Sequence, residues 1–232
     1  MTCRLSSCRM SLRPGIDRIS HMKPLSIAQL QALQDAVLDN ANDLISDAVL
    51  LAQNGRHPRA FSLLVLACEE LSKSPILSQA CVLLTLKEPV DWDELQRFLR
   101  THDQKLLLMS LFDMLTALQV ARKSPTLFLP RGLTGGVRKH PRALNVAKQN
   151  GFYVDVDSSG TPCRPSAAIT PDDVAEAHDF AERALHILRE AVVDGRAFLA
   201  REPVERLRQF RKDLQPLAQM IRTLLDGTPT TS

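Results

Sequence analysis

The stretch from Arg59 to Lys73, Arg-Ala-Phe-Ser-Leu-Leu-Val-Leu-Ala-Cys-Glu-Glu-Leu-Ser-Lys, limits the possible folds more than any other part of the chain. Read as a helix, it carries Phe61, Leu63, Leu64, Val65, Leu66, Ala67, Cys68 and Leu71, with no polar stripe until the last turn. Such a cylinder is expected in the middle of a bundle. Glu69 and Glu70 are placed in it side by side, about 100° apart on the wheel, so only one of them reaches solvent easily and the other is expected inside. A buried carboxylate is costly unless it is hydrogen-bonded or ion-paired, so the fold must supply partners. Lys73 is the nearest in sequence, at helical spacing from both acids. Two readings stay open: an ion pair that fixes helix register, or a polar functional site.

The flanking chain reads as helix as well. Ser26 and Gln29 form a Ser-x-x-Gln capping box, and Leu30, Leu33, Val37, Ala41, Leu44, Ala48 and Leu51 repeat at threes and fours, predicting a helix over 27–53 that ends at Asn54-Gly55. Pro58 opens the central helix, and Pro75 is expected to break or kink it. An apolar stretch over 76–86 follows, then Asp91 as the cap of a short acidic-ended helix to about Leu99. Thr101 to Gln104 repeats the capping-box pattern before a long apolar helix over 106–120, which places His102 and Lys105 in its first turn. A capping or core role and a catalytic one are both open for that histidine. Thr170, Pro171, Asp172 and Asp173 start an amphipathic helix through Val192, and Pro203 opens a last one over 204–225 with Arg206, Arg208, Arg211 and Lys212 on a basic side.

Leu, Ala and Val dominate a 44% hydrophobic composition with only 4% aromatic residues, which favours an all-α fold. Residues 22–226 read as a single helical domain, between a disordered leader over 1–21 and a frayed tail over 227–232. The five cysteines show no Cys-x-x-Cys spacing and no histidine pairing suited to zinc, so reduced thiols in a cytoplasmic protein, with no metal and no cofactor, are expected. No run of about 18 apolar residues is present, so no membrane span is expected. Walker-type loops, Gly-x-Ser-x-Gly elbows and His-Glu-x-x-His pairs are missing, which removes the corresponding ATPase, serine hydrolase and zinc protease readings.

A net charge of +3 says little by itself, but its distribution is uneven. Between Met114 and Val154 there is no acid, while Arg122, Lys123, Arg131, Arg138, Lys139, Arg142 and Lys148 accumulate. The prolines and glycines among them mark most of this region as loop, within a basic loop and extended insertion over 122–169. Arg131, Arg138, Lys139, Arg142 and Lys148 are the candidate phosphate or RNA contacts; a solvated loop balancing acidic helices is the other reading. Gly151 to Val156 reads as a short extended segment, either ribboned with the segment after Pro162 or laid across the bundle.

An ordered set of these residues carries a family resemblance. Asn40-Ala41-x-x-Leu44, Asp47-Ala48, Arg59-Ala60, Leu66-Ala67-Cys68-Glu69-Glu70-Leu71-Ser72-Lys73, His102-x-x-Lys105 and Lys148-Gln149-x-Gly151-Phe152-Tyr153-Val154-Asp155 together resemble the AbiV family of bacterial abortive-infection proteins, grouped with the HEPN helical domains. The likeness implies an antiparallel helical bundle, a homodimer and a role in defence against phage. HEPN ribonucleases pair an arginine with a histidine at Arg-x4-6-His across a dimer, without metal, and Arg97-Phe98-Leu99-Arg100-Thr101-His102 has that spacing. Phe98 departs from the usual polar residue, and the pair precedes the long helix instead of lying near the domain's end. Arg97 and His102 are therefore the candidate catalytic pair. Arg59, Glu69, Glu70, Lys73, His102, Lys105, Tyr153 and Asp155 are expected as one buried polar network, which either braces the Gly151–Asp155 segment or forms a pocket. An RNA-directed toxin and a non-catalytic module that binds a phage or host protein are the two functional readings.

Overall fold

Local capping sets where the chain turns into helix. In the computed structural model, Gln29 N donates to Ser26 Oγ at 3.3 Å and Ser26 N to Gln29 Oε1 at 2.9 Å, so the expected capping box starts helix α1 (Ile27–Gln53). Gly55, at φ 69°, takes the left-handed position just past its end. A short link leads to α2 (His57–Leu71), which has Pro58 in its first turn, and the two helices pack as antiparallel neighbours. Next come α3 (Lys73–Thr85), α4 (Trp92–Arg100, capped by Asp91), α5 (Pro141–Phe152), the two-residue strands β1 (Asp155–Val156) and β2 (Pro162–Cys163), and α6 (Pro171–Arg201, with Thr170 and Asp173 as its capping box).

The structure describes residues 22–102, 105, 106, 108, 109, 141–156, 159–163, 165, 169–209, 211–213, 215 and 219. The expected leader, the tail, the loop over 122–140, and most of the expected 106–120 and 204–225 helices lie outside them. His102, Lys105, Leu106, Leu108 and Met109 are helical, as are residues 204–209 and 211–213.

The fold is all-α and HEPN-like, with α2 at its centre: it touches α1, α3, α5 and α6. Ala60, Phe61, Leu64, Ala67, Cys68 and Leu71 of α2 are buried among residues of α1, α5 and α6 together with Leu106 and Met109. The expectation of apolar contact all round α2 needs one correction. Arg59 is exposed and Leu63, Leu66 and Glu70 are only partly buried, and these four recur at helical spacing as a single outward stripe. Pro75 does not sever the helix either. The break falls at Ser72, which puts Pro75 in the first turn of α3, where its missing N–H deprives no intrahelical bond. A second apolar cluster joins Leu30 and Val37 of α1 to Leu77, Ala80 and Cys81 of α3 and Leu95 of α4.

Within the region expected as loop, residues 141–152 are helix, and Gly151 and Phe152, expected as extended, are its last residues. The reason lies in the partner surface. Leu144 and Lys148 are buried, Ala147 packs on the core, and together with Gly151 they form one face laid on α2. The ribbon beyond is real but minimal, with Asp155 paired to Cys163 and Val156 to Pro162 in antiparallel register.

Candidate functional site

Glu69 is 2% exposed, the most deeply buried carboxylate described. It projects from α2 about a quarter-turn from the outward stripe and receives basic groups from two remote parts of the chain. Lys148 Nζ, on α5, donates to Oε1 at 2.5 Å, and His102 Nδ1 meets Oε2 at 2.5 Å. Lys105 Nζ stands farther off, 3.8 Å from the same Oε2, and its hydrogen bond to Leu99 O, in the last turn of α4, is long at 3.4 Å. The two lysines are buried, whereas the His102 side chain is 53% exposed. The result is a carboxylate sealed inside the protein with an imidazole as its window to solvent.

What brings α5 close enough is a contact between small groups. Ser62, one residue in from the buried Phe61 and two turns before Glu69, donates its hydroxyl to Lys148 O at 2.7 Å and to Pro58 O at 2.9 Å. A Cβ on Gly151 would lie 2.0 Å from Ser62 Oγ and 2.4 Å from Pro58 O, distances no side chain tolerates, so only glycine lets the helix ends approach this way. Lys148 is one turn before Gly151 on the same face, and its stem then runs along α2 to Glu69.

The electrostatics follow from burial. Loss of water pushes the Lys105 ammonium below its ordinary value; Glu69 and Glu70 oppose that push, while Lys73 and Lys148 reinforce it. A carboxylate held against Nδ1 favours the tautomer with its proton on that nitrogen, which leaves Nε2 as an acceptor.

The expected network is thus assembled in part. Glu69, His102 and Lys105 meet. Lys148, expected among phosphate contacts, is instead buried on Glu69. Glu70 and Lys73 form their own pair at 2.5 Å on the partly exposed edge of α2 and α3. Arg59 is exposed on the outward stripe and does not join. Tyr153, 68% exposed, does not join either, because α5 ends at Phe152 and the chain leaves the α2 surface there. Arg97 is exposed in the last turn of α4 and is not among the groups that meet Glu69. Arg131, Arg138 and Lys139, and the side chains of Arg142 and Asp155, lie outside the described residues.

Ser62 and the role of Lys148 escaped sequence reasoning. The signal was available: Leu144, Lys148 and Gly151 are spaced as one helical face, but that face is invisible while the segment is read as loop. Among the described residues no group of three or more His, Cys, Asp or Glu side chains is placed to hold a metal ion, and no helix is long and apolar enough to cross a membrane.

A family model described as AbiV matches residues 29–186, a span that contains Glu69, His102, Lys105 and Lys148. No curated protein and no solved structure matches the chain.

Proposed function

This chain belongs to the AbiV family, and from that premise we propose that it acts in abortive infection as an RNA-directed toxin, a metal-independent endoribonuclease with His102 as its proton-transfer group. The observation that carries the reading is the Glu69–His102 contact: a buried carboxylate holds Nδ1 of a half-exposed ring at 2.5 Å, which leaves Nε2 as the ring's other nitrogen for proton transfer. Cleavage beside a ribose 2′-OH needs such a group near neutral pH and a cation near the phosphate. In the proposed step, His102 Nε2 takes the 2′-OH proton and the 2′-oxygen attacks phosphorus. The bond from phosphorus to the 5′-oxygen breaks, and the imidazolium returns the proton to that leaving oxygen. A cyclic phosphate and a 5′-hydroxyl result. Arg97, exposed on α4, supplies the phosphate cation, with the homodimer implied by the HEPN resemblance bringing the partner's copy of the arginine to the ring.

The test is cleavage of labelled total RNA by the purified protein, with and without chelator. His102→Ala, at a half-exposed position, is expected to keep the fold and lower the cleavage rate by about 100-fold or more. An equal rate in the variant removes His102 from the chemistry.

A second reading has its own observation. Tyr153, Val154 and Val156, between 61% and 68% exposed, form an apolar tongue after α5, of the kind that marks a protein-binding surface. If the chain is a non-catalytic module triggered by a phage or host protein, RNA stays intact in vitro and Tyr153→Ser with Val154→Ser abolishes growth arrest while His102→Ala does not.

A further inference from the structure

The buried cluster contains more positive charge than its acids can take up. Each oxygen of Glu69 already has a close basic partner, Lys148 on Oε1 and His102 on Oε2. Glu70 is taken by Lys73. Among the described groups this leaves Lys105 as the remaining cation: 5% exposed, 3.8 Å from an oxygen already bonded to another group, and with a single long bond to Leu99 O. An ammonium carries three donors, and in a site this dry the deficit is costly. The last carbonyls of α4 relieve part of it through the negative end of the helix dipole. The rest calls for an anion.

We infer that Lys105 and His102 together form a seat for a phosphate oxyanion, which enters beside the half-exposed imidazole and takes the Lys105 ammonium as donor. Three features of the geometry support it. Lys105 and His102 are three residues apart in sequence and address the same carboxylate oxygen, so an anion at the ring edge is within the swing of the lysine's four-carbon stem. Glu69, held by Lys148 from the far side, repels an anion less than an unpaired carboxylate would. The ring is the exposed member of the cluster and therefore its entrance. Lys105 is on this view a positioning and binding residue for a phosphoryl group. The inference deepens the reading of the Glu69 cluster as the functional centre but does not depend on cleavage, because an anion can be seated without any bond being broken.

The experiment is a thermal-unfolding titration of the full chain with inorganic phosphate against chloride at matched ionic strength, in the wild type, Lys105→Met and Lys212→Met. Lys212 is an exposed lysine remote in sequence from the cluster. The expected result is a rise in Tm with phosphate in the wild type and Lys212→Met that is absent in Lys105→Met. Without phosphate, Lys105→Met should unfold no lower than the wild type, because methionine fills the same space without an undersupplied charge. A purely structural lysine gives the opposite: a lower Tm and no phosphate response in either protein. No response in the wild type, or an equal one in Lys105→Met, overturns the proposal. Two uncleavable 2′-deoxy oligonucleotides, with and without a 3′-terminal phosphate, then identify the source. A response to both assigns the seat to the backbone diester, and a response to the phosphorylated one alone assigns it to a phosphate monoester. No RNA cleavage by the wild type, with its phosphate response present, sinks the ribonuclease reading and leaves the anion seat standing.

Discussion

Two buried polar clusters hold the helices together, and they are built on opposite principles. Gln34 of α1, 2% exposed, donates from Nε2 to Ser74 O at 3.0 Å, Ser74 Oγ at 3.2 Å and Ser78 Oγ at 2.7 Å on α3. Its Oε1 accepts from Arg196 of α6 at 3.2 Å, and Arg196 in turn pairs with Asp35 at 2.7 Å. A neutral amide at the hub uses both its nitrogen and its oxygen in hydrogen bonds, and the one full charge that reaches it is balanced by Asp35 on α1. The hub at Glu69 is a single full negative charge facing two buried ammonium groups and an imidazole. Equal burial thus has different consequences: the first cluster joins three helices and creates little field, while the second concentrates charge and opens it to solvent through His102. The second also lies wholly within the span shared with the AbiV family, whereas the first reaches Arg196 beyond it.

The contrast is most exposed to failure at Glu69 itself. Glu69→Gln leaves Lys148 and Lys105 buried without a counter-charge and should lower unfolding stability by about 3–5 kcal/mol in urea titration. A loss no larger than that of an ordinary hydrogen bond would show that the two hubs are energetically alike. Gly151→Ala drives a methyl into Ser62 Oγ and Pro58 O. It is expected to cost about 1–3 kcal/mol and to weaken RNA cleavage as well, because α5 carries Lys148. Pairing it with Ser62→Gly should recover only part of the loss, since the Pro58 carbonyl remains in the way.

Gln34→Leu should cost about 1–3 kcal/mol through the buried partners it leaves unsatisfied, and it should leave cleavage and the phosphate response unchanged. An effect on either function would merge the two clusters into one. The Lys105 difference is smaller and depends on pH. Its folded-state affinity for a proton is depressed below the ordinary 10.5, chiefly by burial. Between the lowered folded value and 10.5 the unfolded chain binds the proton better, so stability should rise with pH there, and the penalty should be fully present below that window. Subtracting the pH–stability curve of Lys105→Met from that of the wild type isolates this slope; a flat difference would mean that folding leaves the proton affinity of Lys105 unchanged. Smallest is Glu70→Gln, whose partly exposed pair with Lys73 should be worth under about 1 kcal/mol.

Much of the fold was legible because its signals are local. The capping boxes at Ser26 and Thr170, the left-handed Gly55 and the cap at Asp91 are settled by residues three or four apart, and each forms as its pattern dictates. The site was legible only in its centre. That one of two adjacent acids must be buried follows from the wheel, but which one depends on where α5 and the His102 helix dock. Arg59 and Tyr153 were drawn into the network by their place in a shared motif, and the structure turns both outward. Lys148 was drawn out of it by the basic residues around it, although a lysine's charge says nothing about whether it faces water or a carboxylate.

The sequence alone determined that this chain is helical, that α2 lies at the centre, and that a carboxylate within it would need distant cations, because periodicity, caps and the cost of burying charge are all properties of short segments. Only the tertiary structure decided that Glu69 is that carboxylate and that Lys148 and His102, 79 and 33 residues away, are its partners. The physical reason is the contact at Gly151: the absence of a single Cβ fixes how closely α5 lies on α2, and a pairing set by the distance between two helices cannot be written in either one.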